Sequence, residues 1–165
     1  MIFAIEGPDG AGKSTLIKSI RADKRRNTHF IASSAQPPSR DHIIDEMNWL
    51  HSLPESMILF CDRYRMVSEP IYGNALRGED LSEGIRIHRT QLVVFIYCRP
   101  PREVILKNVE AGKHLVGVRE RIDRIIDGYD HFFGIVRTRS PVMYYDYTSE
   151  PFEHFIDKLF ARWVK

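Results

Sequence analysis

The sequence predicts a three-layer α/β fold, a five-stranded parallel sheet with helices on both faces. Three observations carry this expectation. Short runs that are apolar throughout alternate with segments of helical apolar spacing; a glycine-rich turn joins the first such run to the first such segment; and no internal repeat, low-complexity tract or linker breaks the pattern. A strand covered on both faces reads as a continuous apolar run, which is the signature of a parallel sheet.

Taken in order, Ile2-Phe3-Ala4-Ile5 is the first strand. Ser14 to Ile20 is the first helix, closed by Lys24-Arg25-Arg26-Asn27. Thr28 to Ala32 reads as the second strand and Ser33 to Arg40, with Pro37 and Pro38, as a loop. Asp41 is placed to cap a helix on which Ile43, Ile44, Met47 and Leu50 share one face. Met57 to Cys61 forms the third strand, leading into Asp62-Arg63-Tyr64. Helices are expected over Ser68 to Leu76 and Glu83 to Thr90, with a turn at Gly78-Glu79-Asp80 between them. Leu92 to Cys98 is β-branched and aromatic without interruption, so it belongs near the middle of the sheet. Pro100-Pro101 opens a helix through about Val109, and Gly112 to Gly117 reads as a mobile segment before a long helix from about Arg119 to Val136. Pro141 to Asp146 is the fifth strand, and Pro151 to Trp163 the last, amphipathic helix.

A chain of 165 residues, 43% of them hydrophobic, is expected to fold as one domain, 1–165, with a lid segment around 110–124. Lys and Arg number 24 against 22 Asp and Glu, and the signs are interspersed, so tight binding to duplex DNA is not expected. Cys61 and Cys98 each end an apolar strand, the place for reduced buried thiols rather than a disulfide. No charged-then-apolar leader and no membrane-length span is visible, which points to a cytoplasmic, soluble protein.

Chemistry concentrates at Gly7-Pro8-Asp9-Gly10-Ala11-Gly12-Lys13-Ser14, a complete P-loop between strand and helix. Backbone N–H groups of Asp9 to Lys13 can turn together toward phosphate oxygens because Gly7, Gly10 and Gly12 leave the approach open. The helix N-terminus adds partial positive charge. Lys13 reaches β and γ phosphates, and the Ser14 hydroxyl completes a Mg2+ shell otherwise filled by water and phosphate oxygens. Asp62-Arg63-Tyr64 follows another strand, on the same edge of the sheet. A carboxylate there can hold a Mg2+-bound water, and an arginine can grip a phosphate bidentately.

Glu6 to Thr15, and Asp62-Arg63-Tyr64 with Ser68 and Tyr72, resemble the two signatures of thymidylate kinases, which have the P-loop kinase fold. The proline-started helix after Arg99 and Asp146 after the fifth strand match the family in placement, and Val67 to Gly73 with Leu76-Arg77-Gly78 is similar to short, phage-type members. The resemblance implies ATP as phosphoryl donor, held by Gly7, Asp9, Gly10, Ala11, Gly12, Lys13, Ser14 and Thr15, with Arg124 and Tyr147 beside it. It implies an acceptor nucleotide at Asp9, Arg63, Tyr64 and Tyr72, with Trp49 a candidate for stacking on the base although core packing suits it better. Mg2+ falls to Ser14 and Asp62. Lys13, Arg63 and the lid arginines Arg119 and Arg121 would offset charge in the transfer. Some members carry arginine where this chain has Gly10, which makes a lid arginine more necessary. Family members are often dimers, so a homodimer is a further expectation, although no stretch marks an interface.

The chain departs from the family in length and in Ser34-Ala35-Gln36-Pro37-Pro38, where an Arg-Glu-Pro-Gly-like loop is usual. The identity of the base therefore stays open. The leading expectation is transfer from ATP-Mg2+ to a deoxynucleoside monophosphate, dTMP or a relative. A deoxynucleoside kinase is an alternative, but Phe30 to Pro38 holds no carboxylate base, leaving Asp62 or Asp9 to serve. A kinase of a hydroxyl on modified DNA, drawing on Lys24-Arg25-Arg26, and a silent ATP-binding module complete the alternatives. The seven histidines show no metal-ligand spacing and receive no role, His114 beside the lid included.

Overall fold

Strand β1 (Ile2–Glu6) lies at the middle of a five-stranded sheet. Around it the order is β2 (His29–Ala32), β3 (Leu59–Asp62), β1, β4 (Val93–Cys98), β5 (Val142–Tyr145), every neighbouring pair parallel. The computed structural model describes residues 1–23, 28–32, 39–79 and 92–163. The expected basic cluster at 24–27, most of the loop at 33–40 and the short helix at 83–90 lie outside the described residues.

The register sets the two faces. Phe30, Phe60 and Phe3 are Cα partners across β2, β3 and β1, and their rings stack in one row at centroid distances of 5.4 and 4.9 Å. Phe160 of α6 (Phe152–Trp163) closes on Phe60 at 6.3 Å. On the other face Phe95 and Tyr97 of β4 meet Phe133 of α5 (Val118–Val136) at 5.7 and 4.4 Å. Helix α1 (Lys13–Ala22) packs with α6, while α2 (Arg40–Ser52), α3 (Arg65–Tyr72) and α4 (Arg102–Ala111) join α5 in the second group. Helices thus cover both sides of the sheet. β1 and β4 are buried at every position, as their unbroken apolar runs require.

Most boundaries fall within two residues of expectation. Two helix starts differ for physical reasons. Ser39, not Asp41, caps α2, its hydroxyl accepting from the His42 N–H at 3.3 Å, so Asp41 sits in the first turn where its charge suits the helix dipole. Helix α3 begins at Arg65 instead of Ser68, because the Tyr64 carbonyl accepts from Val67 and Ser68 directly after the β3 turn. The Arg65 side chain is buried between Glu46 of α2 at 2.5 Å and Glu69 at 3.3 Å, tying α2 to α3. Past Tyr72 the helix widens into a π-turn, Gly73–Arg77, ended by Gly78.

Cys61 and Cys98 are buried free thiols, and burial pushes both pKa values up to about 12. Among the described residues no helix is long and apolar enough to cross a membrane.

Phe60→Ala removes the centre of the aromatic row and is expected to cost about 3–5 kcal/mol, read by urea denaturation. Leu92→Ala, at a side chain 46% exposed just before β4, should stay within about 0.5 kcal/mol of the parent in the same assay.

Candidate functional site

The glycine loop emerges from β1 and is clasped from both sides. Gly10 and Gly12 have φ of 79° and 86°, a left-handed backbone that side chains resist. A Cβ on Gly10 would lie 2.8 Å from the Ile105 carbonyl oxygen of α4, and one on Gly12 would lie 2.7 Å from the Tyr147 ring. A side chain at position 10 would therefore run into α4. The Asn108 amide donates to the Gly10 carbonyl and to the Tyr147 hydroxyl, both at 2.8 Å. Asp146 in turn shapes the Tyr147 turn, accepting from the Thr148 N–H and hydroxyl at 2.9 and 2.7 Å and from the Ser149 hydroxyl at 3.0 Å. Those three donors outweigh burial and hold its pKa low.

Arg63, at the end of β3, has φ 71° and is the one described non-glycine residue in that region. Its backbone N–H donates to the Ile5 carbonyl at 3.1 Å. The guanidinium donates to Asp9 Oδ1 at 2.6 Å and to the hydroxyls of Tyr72 and Tyr129 at 3.2 Å each, lying over the Tyr72 ring. Tyr72 also accepts from the Asp9 N–H at 3.1 Å. Loop, strand end, α3 and α5 thus converge on one guanidinium.

Beneath it lies Glu6, with no exposed surface. Its carboxylate accepts from the Tyr64 N–H and from the Tyr129 hydroxyl, the latter at 3.0 Å. Burial pushes its pKa up to about 7, against Arg63, Lys13 and these two donors. Lys13 Nζ donates to the carbonyls of Gly7 and Pro8 at 2.8 and 2.7 Å. Burial first, then Arg63, lowers its pKa to about 8, while Asp9, Cys98 and Glu6 pull the other way. Burial opposes the charge on Asp9, but Lys13, Arg63 and His114 outweigh it and hold the carboxyl below its ordinary range.

Two cavities open here. One of about 610 Å³ runs over the loop and is lined by Lys13, Ser14, Thr15, Asp62, Asn108 and Tyr147, among others. The second, about 710 Å³, lies between α3, the π-turn and residues 113–116, with Ser68, Glu69, Tyr72, Leu76 and Arg77 on its walls. Asp9, Arg63, Lys113 and His114 line both, so the cavities meet at the Arg63–Asp9 pair.

Several sequence assignments fall elsewhere. Tyr64 is fully buried, its hydroxyl 2.8 Å from His51 Nε2 and its ring edge-on to Phe95, so it braces α2 against β4 and lines neither cavity. Trp49 is 51% exposed on α2, neither in the core nor on the wall of either of these two cavities, because the buried stripe of that helix runs through Ile43, Met47 and Leu50. Arg119 donates to the carbonyls of Glu110 and Gly112, closing the end of α4; Arg121 donates to the Ala75 carbonyl and Arg124 to Asn74 of the π-turn. None of these three arginines lines either cavity. Lys113 and His114, just ahead of α5, do so instead, and His114 Nδ1 stands 3.7 Å from Asp9 Oδ2.

Sequence reasoning missed Glu6, Asn108, Lys113, Glu69 and Tyr129 as site residues. Glu6 carried a visible signal, a carboxylate continuing an apolar strand without a break. The others lie far along the chain from the glycine loop, and no local pattern marks them.

No protein-family model matches the chain, and no curated protein matches its sequence. Solved structures do match its shape. Deoxyadenosine kinase from M. mycoides, with the products dCMP and a flexible dCDP bound, shares 14% identity at TM-score 0.66, over 98% of this chain and 97% of that one. The same enzyme with dATP gives 12% and 0.65, over 98% of each chain. YorR protein from Bacillus subtilis, in complex with phosphorylated GDP, gives 15% and 0.70, over 98% of this chain and 95% of that one. These likenesses establish the P-loop kinase fold.

Glu6 generates a pH prediction. A carboxyl raised from 4.5 to about 7 binds more protons folded than unfolded, so its contribution to stability is full below pH 4.5 and is lost as pH rises to 7. Relative to Glu6→Gln, the parent should lose stability steadily over that window in urea titrations. A constant difference between the two proteins would contradict it.

Proposed function

We propose that the chain transfers the γ-phosphoryl group of ATP to a deoxynucleoside monophosphate. The observation that supports this most is the meeting of two cavities at Arg63 and Asp9, one over a P-loop and one enclosed by α3, the π-turn and residues 113–116. A donor phosphate chain on the loop and an acceptor in the second cavity would face each other across the guanidinium. Such a reaction is carried by alignment and charge neutralisation rather than by covalent groups of the protein.

Each part has a role in this reading. Loop N–H groups and the α1 N-terminus hold the β and γ phosphates, and Tyr147 borders the base of ATP. Lys13, whose ammonium already lies among the loop carbonyls, would have its charge favoured by phosphate, against the burial that lowers its pKa. Arg63 holds the acceptor phosphate while Tyr72, Tyr129 and Asp9 fix its plane. Ser14 and Asp62, hard oxygen donors on the wall of the loop cavity, suit Mg2+, which would neutralise charge on the phosphate oxygens. Among the described residues no cluster of three metal-ligating side chains exists. Lys113 supplies an ammonium at the junction, with His114 beside it, where arginines of α5 were expected.

A second reading takes a deoxynucleoside as acceptor, with its hydroxyl at the same junction and Asp9, which lines both cavities, or Asp62, which lines the loop cavity, as the base. The likeness to deoxyadenosine kinase favours keeping it. Asp9 is a poor base in its present state, since Arg63 engages it and its pKa is depressed.

The test is ADP release from ATP-Mg2+ with each deoxynucleoside monophosphate and each deoxynucleoside. Turnover with the monophosphates supports the first reading, turnover with nucleosides alone the second, and none with either removes both. Lys13→Ala should lower kcat by about 10²- to 10³-fold, the effect of deleting one positioned charge donor. Arg63→Lys, which keeps the charge but loses the planar fork, should raise KM for the acceptor far more than for ATP.

A further inference from the structure

We propose that His114 is a positioning residue, which takes over the Asp9 carboxylate when Arg63 turns to the phosphate of an acceptor. Its Nδ1–H donates to Asp9 Oδ2 in place of the guanidinium that now holds Oδ1. The inference deepens the proposed transfer and rests on its reading of Arg63 as the group that grips the acceptor phosphate.

The need for such a partner follows from charge. Arg63 Nη2 gives its two N–H groups to Asp9 Oδ1 and the Tyr72 hydroxyl, at 2.6 and 3.2 Å, and Nη1 donates to the Tyr129 hydroxyl. A phosphate gripped by this guanidinium arrives beside a carboxylate already bound to it, and the two anions repel. Drawing Arg63 toward the phosphate relieves the repulsion but takes from Asp9 its shortest contact. Lys13, the other cation close to Asp9, is committed to the carbonyls of Gly7 and Pro8. A carboxylate whose side chain is only 18% exposed pays heavily for a lost donor, so the exchange needs a replacement already in place.

His114 meets that need. It stands with Asp9 and Arg63 in the walls of both cavities, and its Nδ1 is 3.7 Å from Asp9 Oδ2, about 1 Å beyond hydrogen-bond range. A neutral imidazole carries one proton. Nε2 is enclosed and has no hydrogen-bond partner among the described residues, so that proton finds an acceptor only on Nδ1, the nitrogen that faces Asp9. The seat of the ring is specified as well. Gly112, at the end of α4, has φ −97° and ψ 173°, a backbone open to any residue, yet a Cβ there would lie 2.6 Å from His114 Nε2. Glycine at this position makes room for the imidazole rather than for a turn. The proton stays on His114 throughout, and no bond is made or broken in the exchange.

The experiment compares the parent with His114→Phe, which keeps a ring and removes the donor, and with His114→Asn, whose amide N–H groups keep a donor near Nδ1. Calorimetry reads the binding of dTMP, dCMP, dAMP and dGMP and of the matching deoxynucleosides, and ADP release with ATP-Mg2+ reads KM. For the monophosphate that the parent binds most tightly, His114→Phe should weaken binding and raise KM by about 10-fold, with KM for ATP changed by no more than about twofold. The matching deoxynucleoside brings no phosphate and leaves Asp9 on Arg63, so it should bind both proteins alike. His114→Asn should stay within about twofold of the parent on the monophosphate, the reverse of the order that packing alone would set. Asp9→Asn removes the second anion, so adding His114→Phe to it should weaken monophosphate binding no further. If His114→Phe does not fold, His114→Ala carries the same comparison. No loss on the monophosphate, an equal loss on monophosphate and deoxynucleoside, or His114→Phe outperforming His114→Asn overturns the proposal. Failure of the proposed function looks different: a parent that turns over no monophosphate and binds none more tightly than its deoxynucleoside removes the reading of Arg63, and this inference with it.

Discussion

A single buried carboxylate joins the parts of this molecule that have to meet. Glu6 ends the central strand, where the sheet leaves no path to water, and it accepts from the backbone of Tyr64 and the hydroxyl of Tyr129. Those two contacts pin the turn after β3 and the middle of α5 to the start of the glycine loop. An isolated buried charge would be very costly, so the position is tolerable only because Arg63, Lys13 and two hydrogen-bond donors surround it.

Arg63 is the other half of that arrangement. Its left-handed backbone is an uncommon conformation for a residue with a side chain, and it persists because neighbouring groups over-determine it. Ile5 takes its N–H and Glu6 takes the next one along the chain. The side chain is thereby turned back toward the loop, onto Asp9 and between Tyr72 and Tyr129. Strain in the backbone is exchanged for a guanidinium held at the meeting point of two cavities.

Within the expected lid segment, the cation that reaches the meeting point is Lys113 and not one of the arginines. The arginines at the start of α5 support neighbouring elements through backbone carbonyls and Asn74, while Lys113 and His114 face the cavities. A helical pattern says which face of α5 is apolar, but it does not say what the polar face will find. Trp49 teaches the same lesson: its size favoured the core, yet Ile43, Met47 and Leu50 already fill the stripe that α2 buries.

The order of strands and helices, the five parallel strands and the glycine loop were all legible in the chain alone, since apolar periodicity, proline and glycine act locally and their signals lie within a few residues of the structures they specify. The pairing of Asp62-Arg63 with the loop was legible too, because parallel strands deliver their C-terminal ends to one edge of the sheet. What only tertiary structure decided is which distant side chains meet there. Asn108 on the loop, Glu69 and Arg77 on one wall, Tyr129 beneath Arg63 and the burial of Tyr64 depend on packing between elements dozens of residues apart, and nothing in the local sequence encodes those distances.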